Sequence, residues 1–109
     1  MKQEGLEVTI SAEGEELTAV LHGEIDHHGA APVRERIDTA LFKYRPRRLT
    51  LDLGGVEFMD SSGLGLILGR AALCEEMGAT LHLRHPGERV RRIFAVAGIE
   101  RLRHITTEV

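Results

Sequence analysis

Phe58-Met59-Asp60-Ser61-Ser62-Gly63-Leu64-Gly65 places a carboxylate and two hydroxyls at one junction. On one side lies an alternating apolar run, Leu49-Thr50-Leu51-Asp52-Leu53. On the other, Leu64, Ile67, Leu68, Ala71 and Ala72 recur at helical spacing. Three chemistries suit such a point. A serine there can be a nucleophile, the helix end can hold an anion, or the hydroxyl can itself be modified. The first turn of a helix leaves backbone N–H groups unpaired and carries partial positive charge, so aspartate and serine cap it and phosphate is tolerated beside it.

Each chemistry needs company. A serine nucleophile needs a base, and His82, His85 and His104 are available, with Asp52 or Asp60 as the orienting acid. The Gly-x-Ser-x-Gly elbow is absent, because Met59 and Asp60 stand two residues before Ser61 and Ser62. No Gly-x4-Gly-Lys-Ser/Thr loop occurs, and Gly63 and Gly65 lack the third glycine of a dinucleotide fingerprint. His27-His28 has no cysteine or spaced acid to complete a tetrahedral metal set. Modification remains. A phosphate on Ser61 adds nearly two charges beside Asp60, and a partner pressed on that spot would have to bury them. Capping of the helix by both serines stands as the structural alternative.

Gly63, Gly65 and Gly69 fall within the first turns of the same helix, at about 1 kcal/mol each relative to alanine. Gly63, beside the hydroxyls, is read as giving access. Gly65 and Gly69 share a helical face and admit either a visitor or tight packing against a sheet.

Around this junction the elements follow in order. Leu6, Val8 and Ile10 alternate with polar residues in a first strand, at the sheet edge. After the charged turn Glu13-Gly14-Glu15-Glu16, Leu17–His22 is the return arm of a hairpin, ended by Gly23-Glu24-Ile25-Asp26. Asp26 caps a helix over 28–44, with Val33, Ile37, Ala40, Leu41 and Tyr44 on one face and Pro32 in its first turn. A strand over Arg48–Leu53 and a helix over 61–77 follow, closed by Gly78. Thr80–Arg84 is a strand, 87–97 a helix with Val90, Ile93, Phe94 and Ala97 inward, and Leu102–Thr106 a last strand. The sum is one α/β domain over 1–109, with a mixed sheet of four or five strands and three or four helices. Loops at the strand ends, including both Asp60-Ser61 and Gly23–Asp26, should open on one edge.

The chain has 109 residues and a formal net charge of −3. Residues 1–40 hold nine acids against three bases, and residues 41–109 eight against eleven. There is no tryptophan and no basic stripe with aromatics, which speaks against nucleic acid. Arg45, Arg47 and Arg48 around Pro46 read as a solvated turn. No run of about 18 apolar residues suggests a membrane span. The N-terminus lacks a signal-peptide pattern, and the lone Cys74 suits a reducing compartment as a buried, unreactive thiol. A cytoplasmic monomer without cofactor is the expectation.

Phe58 to Gly65, continued by Ile67-Leu68-Gly69-Arg70, closely resembles the signature of STAS-domain anti-sigma factor antagonists, especially the sporulation type that antagonises the anti-sigma F factor. Gly23-Glu24-Ile25-Asp26-His27-His28 is similar to that family's second hallmark, and Arg92-Ile93-Phe94 through Ala97-Gly98-Ile99 to its third-helix segment. The resemblance implies a partner-switching protein and not an enzyme. The unphosphorylated form would bind an anti-sigma factor, itself a serine kinase, and free a sigma factor. Phosphorylation of Ser61 would end binding, and a PP2C-type phosphatase would restore it. It also implies a docking surface of Asp26, Asp60, Ser61, Ser62, Gly63 and Gly65, with Asp60 helping to position the hydroxyl. A stand-alone STAS subunit of a stress-sensing or lipid-transport assembly, with Ser61 unmodified, is the alternative.

Overall fold

The computed structural model describes residues 5–108. The elements run β1 (Glu7–Glu13), β2 (Glu16–Ile25), α1 (His27–Tyr44), β3 (Arg48–Met59), α2 (Ser61–Glu76), β4 (Thr80–Arg84) and α3 (Glu88–Ala97). A 3-10 turn at Ile99–Arg101 and β5 (Ile105–Glu108) complete the chain. One five-stranded sheet has the order β1-β2-β3-β4-β5, with β1 antiparallel to β2 and every later pair parallel. The expected α/β class and mixed sheet are present, with three α-helices and β1 at an edge. Leu6 lies just outside β1.

Period-two alternation makes the centre of the sheet. Leu17, Ala19 and Leu21 of β2 sit beside Leu49, Leu51 and Leu53 of β3, and Leu81 and Leu83 of β4 continue the layer. All are fully buried. Val33, Ile37, Ala40 and Leu41 from α1 and Leu66, Ile67, Ala71 and Cys74 from α2 complete it. Burial of each large aliphatic side chain contributes about 1.5–3 kcal/mol. Burial also pushes the Cys74 thiol up to about 11, which keeps it protonated and inert.

Several boundaries differ from the sequence reading, each for a physical reason. β3 does not stop at Leu53. Its inward residues run Leu49, Leu51, Leu53, Val56, Met59, so the spacing of two becomes three twice. Register breaks between Val20 and His22 and between Gly23 and Glu24 insert one extra β3 residue each, and β2 continues through Ile25. Gly55 allows this: a Cβ there would lie 2.5 Å from His22 Nδ1 and 2.9 Å from the Leu21 carbonyl oxygen. Pro32 lies in the second turn of α1, not the first, because the helix begins at His27. Tyr44 and Ala97 are exposed, and Ile99 is buried instead of Ala97. The last strand begins at Ile105, after the 3-10 turn.

Arg48 is not part of a solvated turn. Its Nη2 and Nε donate to Glu16 Oε2 at 3.1 and 3.3 Å, and the Thr50 hydroxyl donates to the same oxygen at 2.6 Å. Thr50 is fully buried, so this carboxylate is its partner. On the same side His82, nearly buried, has Nδ1 2.6 Å from Thr106 Oγ1 and Nε2 2.8 Å from Glu108 Oε1, which ties β4 to β5.

The Thr50 hydrogen bond, with Arg48 and Arg84 beyond it, holds the Glu16 carboxyl below its ordinary 4.5. A lowered folded value means stabilisation that is present at neutral pH and lost as pH falls below the usual glutamate range through the folded value. Glu16→Gln should cost about 1 kcal/mol at pH 7, modest because the side chain keeps 32% of its exposure. Urea unfolding should show the difference from wild type shrinking once the pH falls below that range.

Candidate functional site

Two aspartates meet at one end of the sheet because β2 and β3 end together. Ile25 is paired with Met59, and the Asp60 N–H donates to the Ile25 carbonyl at 3.2 Å. Each strand then enters a helix through a single capping residue. Asp26 Oδ1 accepts from the N–H groups of His28 (3.0 Å) and Gly29 (2.9 Å) and opens α1. Asp60 Oδ1 accepts from the Ser62 N–H at 2.7 Å and opens α2. The bond from Gly29, then that from His28, holds the Asp26 carboxyl below its ordinary value. The anticipated shared edge is present.

Ser61 is the first residue of α2 and is exposed. Its hydroxyl makes no hydrogen bond among the described residues. Asp60 thus caps the helix through its own side chain. The Gly63 N–H, at 2.9 Å, and the Leu64 N–H, at 3.4 Å, reach the Asp60 carbonyl. The start of α2 is therefore secured by Asp60 alone, through its side chain and its backbone. Capping does not require Ser61.

The proposed hydrolase parts do not assemble. His85 Nδ1 lies 3.3 Å from Asp52 Oδ1, His82 is engaged with Thr106 and Glu108, and His104 Nε2 lies 3.3 Å from Glu75 Oε2. No described histidine bonds to Ser61 or Ser62.

Gly63 is buried, not an opening. An added Cβ would lie 2.6 Å from Met59 Sδ and 2.7 Å from Met59 Cβ, so the glycine lets α2 begin directly over Met59. Gly65 and Gly69 differ: a Cβ at either would meet nothing within 4 Å. Packing against the sheet does not explain them. With Ser62, Ala30 and Ala31 they line a groove of about 460 Å³ between α1 and α2, into which His27 and Arg34 also face. Its floor includes Arg70, whose Nε faces Asp38 Oδ1 at 2.8 Å and whose Nη1 donates to the Leu66 carbonyl at 3.3 Å. Burial lowers the Arg70 pKa, and Asp38 opposes that shift. Phe58, 45% exposed, stands near the end of β3, three residues before Ser61 in the chain. Alternation gave no sign of this, because the bulges in β3 had shifted its phase. Arg34 carried no signal beyond charge, whereas His27 belonged to the Gly23–His28 segment that resembles the family's second hallmark.

With this geometry in view, comparison with known proteins is decisive. The family profile described as Mlab, STAS domain, matches residues 8–105. An anti-sigma F factor antagonist of Lysinibacillus sphaericus is 37% identical over 79 residues, covering 72% of this chain and 68% of that protein. The chain belongs to the STAS-domain anti-sigma factor antagonists. An anti-sigma-B factor antagonist of Bacillus subtilis is 27% identical over 95 residues, 87% of this chain and 85% of its own. Among solved structures of the family, the unphosphorylated form of the anti-sigma factor antagonist SpoIIAA superposes with a TM-score of 0.80. It is 28% identical, over 94% of this chain and 89% of that one. The phosphorylated form of SpoIIAA from Bacillus gives 0.74 at the same identity, over 94% and 92%.

The two kinds of glycine separate experimentally. Gly63→Ala should destabilise the fold by on the order of 1 kcal/mol, overpacking against Met59 outweighing the gain in helix propensity. Gly69→Ala should stabilise it by about 0.5–1 kcal/mol, since the new methyl group meets open space. Chemical denaturation of both variants reads the opposite signs directly.

Proposed function

We propose that this chain is a partner-switching regulator whose contact with an anti-sigma factor serine kinase is turned off by phosphorylation of Ser61. The observation that carries this reading is an exposed hydroxyl at the first position of α2, free of any structural duty because Asp60 caps the helix. The docking surface is assigned to the ridge and groove around it: Asp26, Asp60, Ser61, Ser62 and Gly65, with Phe58 and Arg34 added. Gly63 acts beneath that surface, by seating α2 on Met59.

The switch follows from charge. Phosphate brings nearly two negative charges to the residue next to the Asp60 carboxylate. The Ser62, Gly63 and Leu64 N–H groups already have acceptors, so these three offer the phosphate little beyond their share of the helix dipole. In solvent this is tolerated and the fold persists. Under a partner the charge must be desolvated, at several kcal/mol. A loss of about 3–4 kcal/mol weakens binding some hundredfold. A PP2C-type phosphatase would then reset the protein. Its own action is binding, not catalysis.

The second reading is a STAS subunit in which Ser61 stays unmodified, and it takes its support from the family description, which names Mlab. Incubation with Mg-ATP and the anti-sigma kinase of the same organism, followed by intact-mass spectrometry, separates the two. One phosphate on the wild type and none on Ser61→Ala is expected. No phosphate on either protein favours the subunit reading, and a phosphate that persists in Ser61→Ala moves the site to Ser62.

A further inference from the structure

The outer face of α2 carries an apolar residue that the core does not use. Leu68 is 38% exposed, although its spacing with Leu64 and Ile67 matches that of the core residues. Across from it Leu102, 44% exposed, stands in the segment that leads into β5. Between them lies a groove of about 440 Å³ floored by Ala71 and Ile105. Arg101 and Arg103 flank Leu102, and neither pairs with an acid among the described residues. His104 reaches across to Glu75 at 3.3 Å. β5 is the sheet edge and pairs only with β4.

We infer that this groove is a docking site for an acidic amphipathic segment of a partner protein. Leu68 and Leu102 ask for apolar side chains on the face that enters. Arg101 and Arg103 ask for carboxylates at its margin, and His104 can exchange its intramolecular acid for one from the partner. Three cationic or titratable donors against a single carboxylate, Glu75, set the sign of the occupant. The groove's concavity and paired leucines suit a helix or extended segment inserting a few side chains. Leu68 lies seven residues along α2 from Ser61, about 10 Å by helical rise. A segment seated here leaves the Ser61 hydroxyl uncovered, so the site operates whether or not that serine is modified.

The test uses the 15N-labelled full chain and synthetic peptides. One probe is a helical peptide with leucines at i, i+3 and i+7 and flanking glutamates. A second carries lysine in place of each glutamate, and phosphatidylglycerol vesicles are the third. The glutamate peptide should perturb the amides of Leu68, Ala72, Leu102 and Ile105. Both the Leu68→Ser/Leu102→Ser and the Arg101→Glu/Arg103→Glu variants should bind it at least about tenfold more weakly. Ser61→Asp should bind it within about threefold of wild type, its added charge lying near a Debye length away. The exposure of all four substituted positions keeps the variants folded, which their amide spectra would verify. No perturbation at about 1 mM peptide, equal binding of the lysine peptide, or perturbation located elsewhere overturns the inference. So does binding to vesicles alone, or self-association through this groove.

Discussion

The site depends on the parallel ladder between β2 and β3 continuing to Ile25 and Met59. If either strand stopped earlier, Asp26 and Asp60 would not open their helices side by side. The two β3 bulges make the extra length possible while returning Val56 and Met59 to the core. Met59 in turn is what Gly63 packs on. One continuous chain of contacts thus runs from sheet register to the exposed hydroxyl.

In the proposed switch, holding and signalling fall to different residues. Asp60 supplies the capping that Ser61 would otherwise give, so a modified Ser61 would leave the helix start in place. Arg70 and Asp38 pin α1 to α2 beneath the groove, while Gly65 and Gly69 give up helix propensity for open surface. A charge added at Ser61 meets a frame whose stability rests elsewhere.

The periodic parts of this structure were legible in the sequence and the contact-dependent parts were not. Alternation in Leu17–Leu21 and Leu49–Leu53 located the core strands, and Asp26 and Asp60 were recognisable as caps. The extension of β3 was hidden because the alternating run ends at Leu53, and beyond it Gly55 admits the close approach of β2 at a bulge. Gly63 beside two serines read as an opening, since nothing in local spacing indicates that Met59 lies under it. Arg48 sat in a basic turn by sequence, and only the pairing of β2 with β3 brings Glu16 and Thr50 to it. The resemblance of residues 58–65 to a known family supplied the functional reading that spacing alone left open between cap and switch.

In the proposed switch, a phosphate at Ser61 changes what the surface can bury and not how the chain folds. The most direct measurement compares the stoichiometrically phosphorylated and unmodified proteins by amide NMR and thermal unfolding, beside their affinity for the kinase. The account predicts shifts confined to the start of α2 and the neighbouring Asp26 end, an unfolding midpoint within a few degrees, and affinity reduced about a hundredfold. Shifts spread through β2, β3 and α1, with a lowered midpoint accounting for the lost binding, would contradict it.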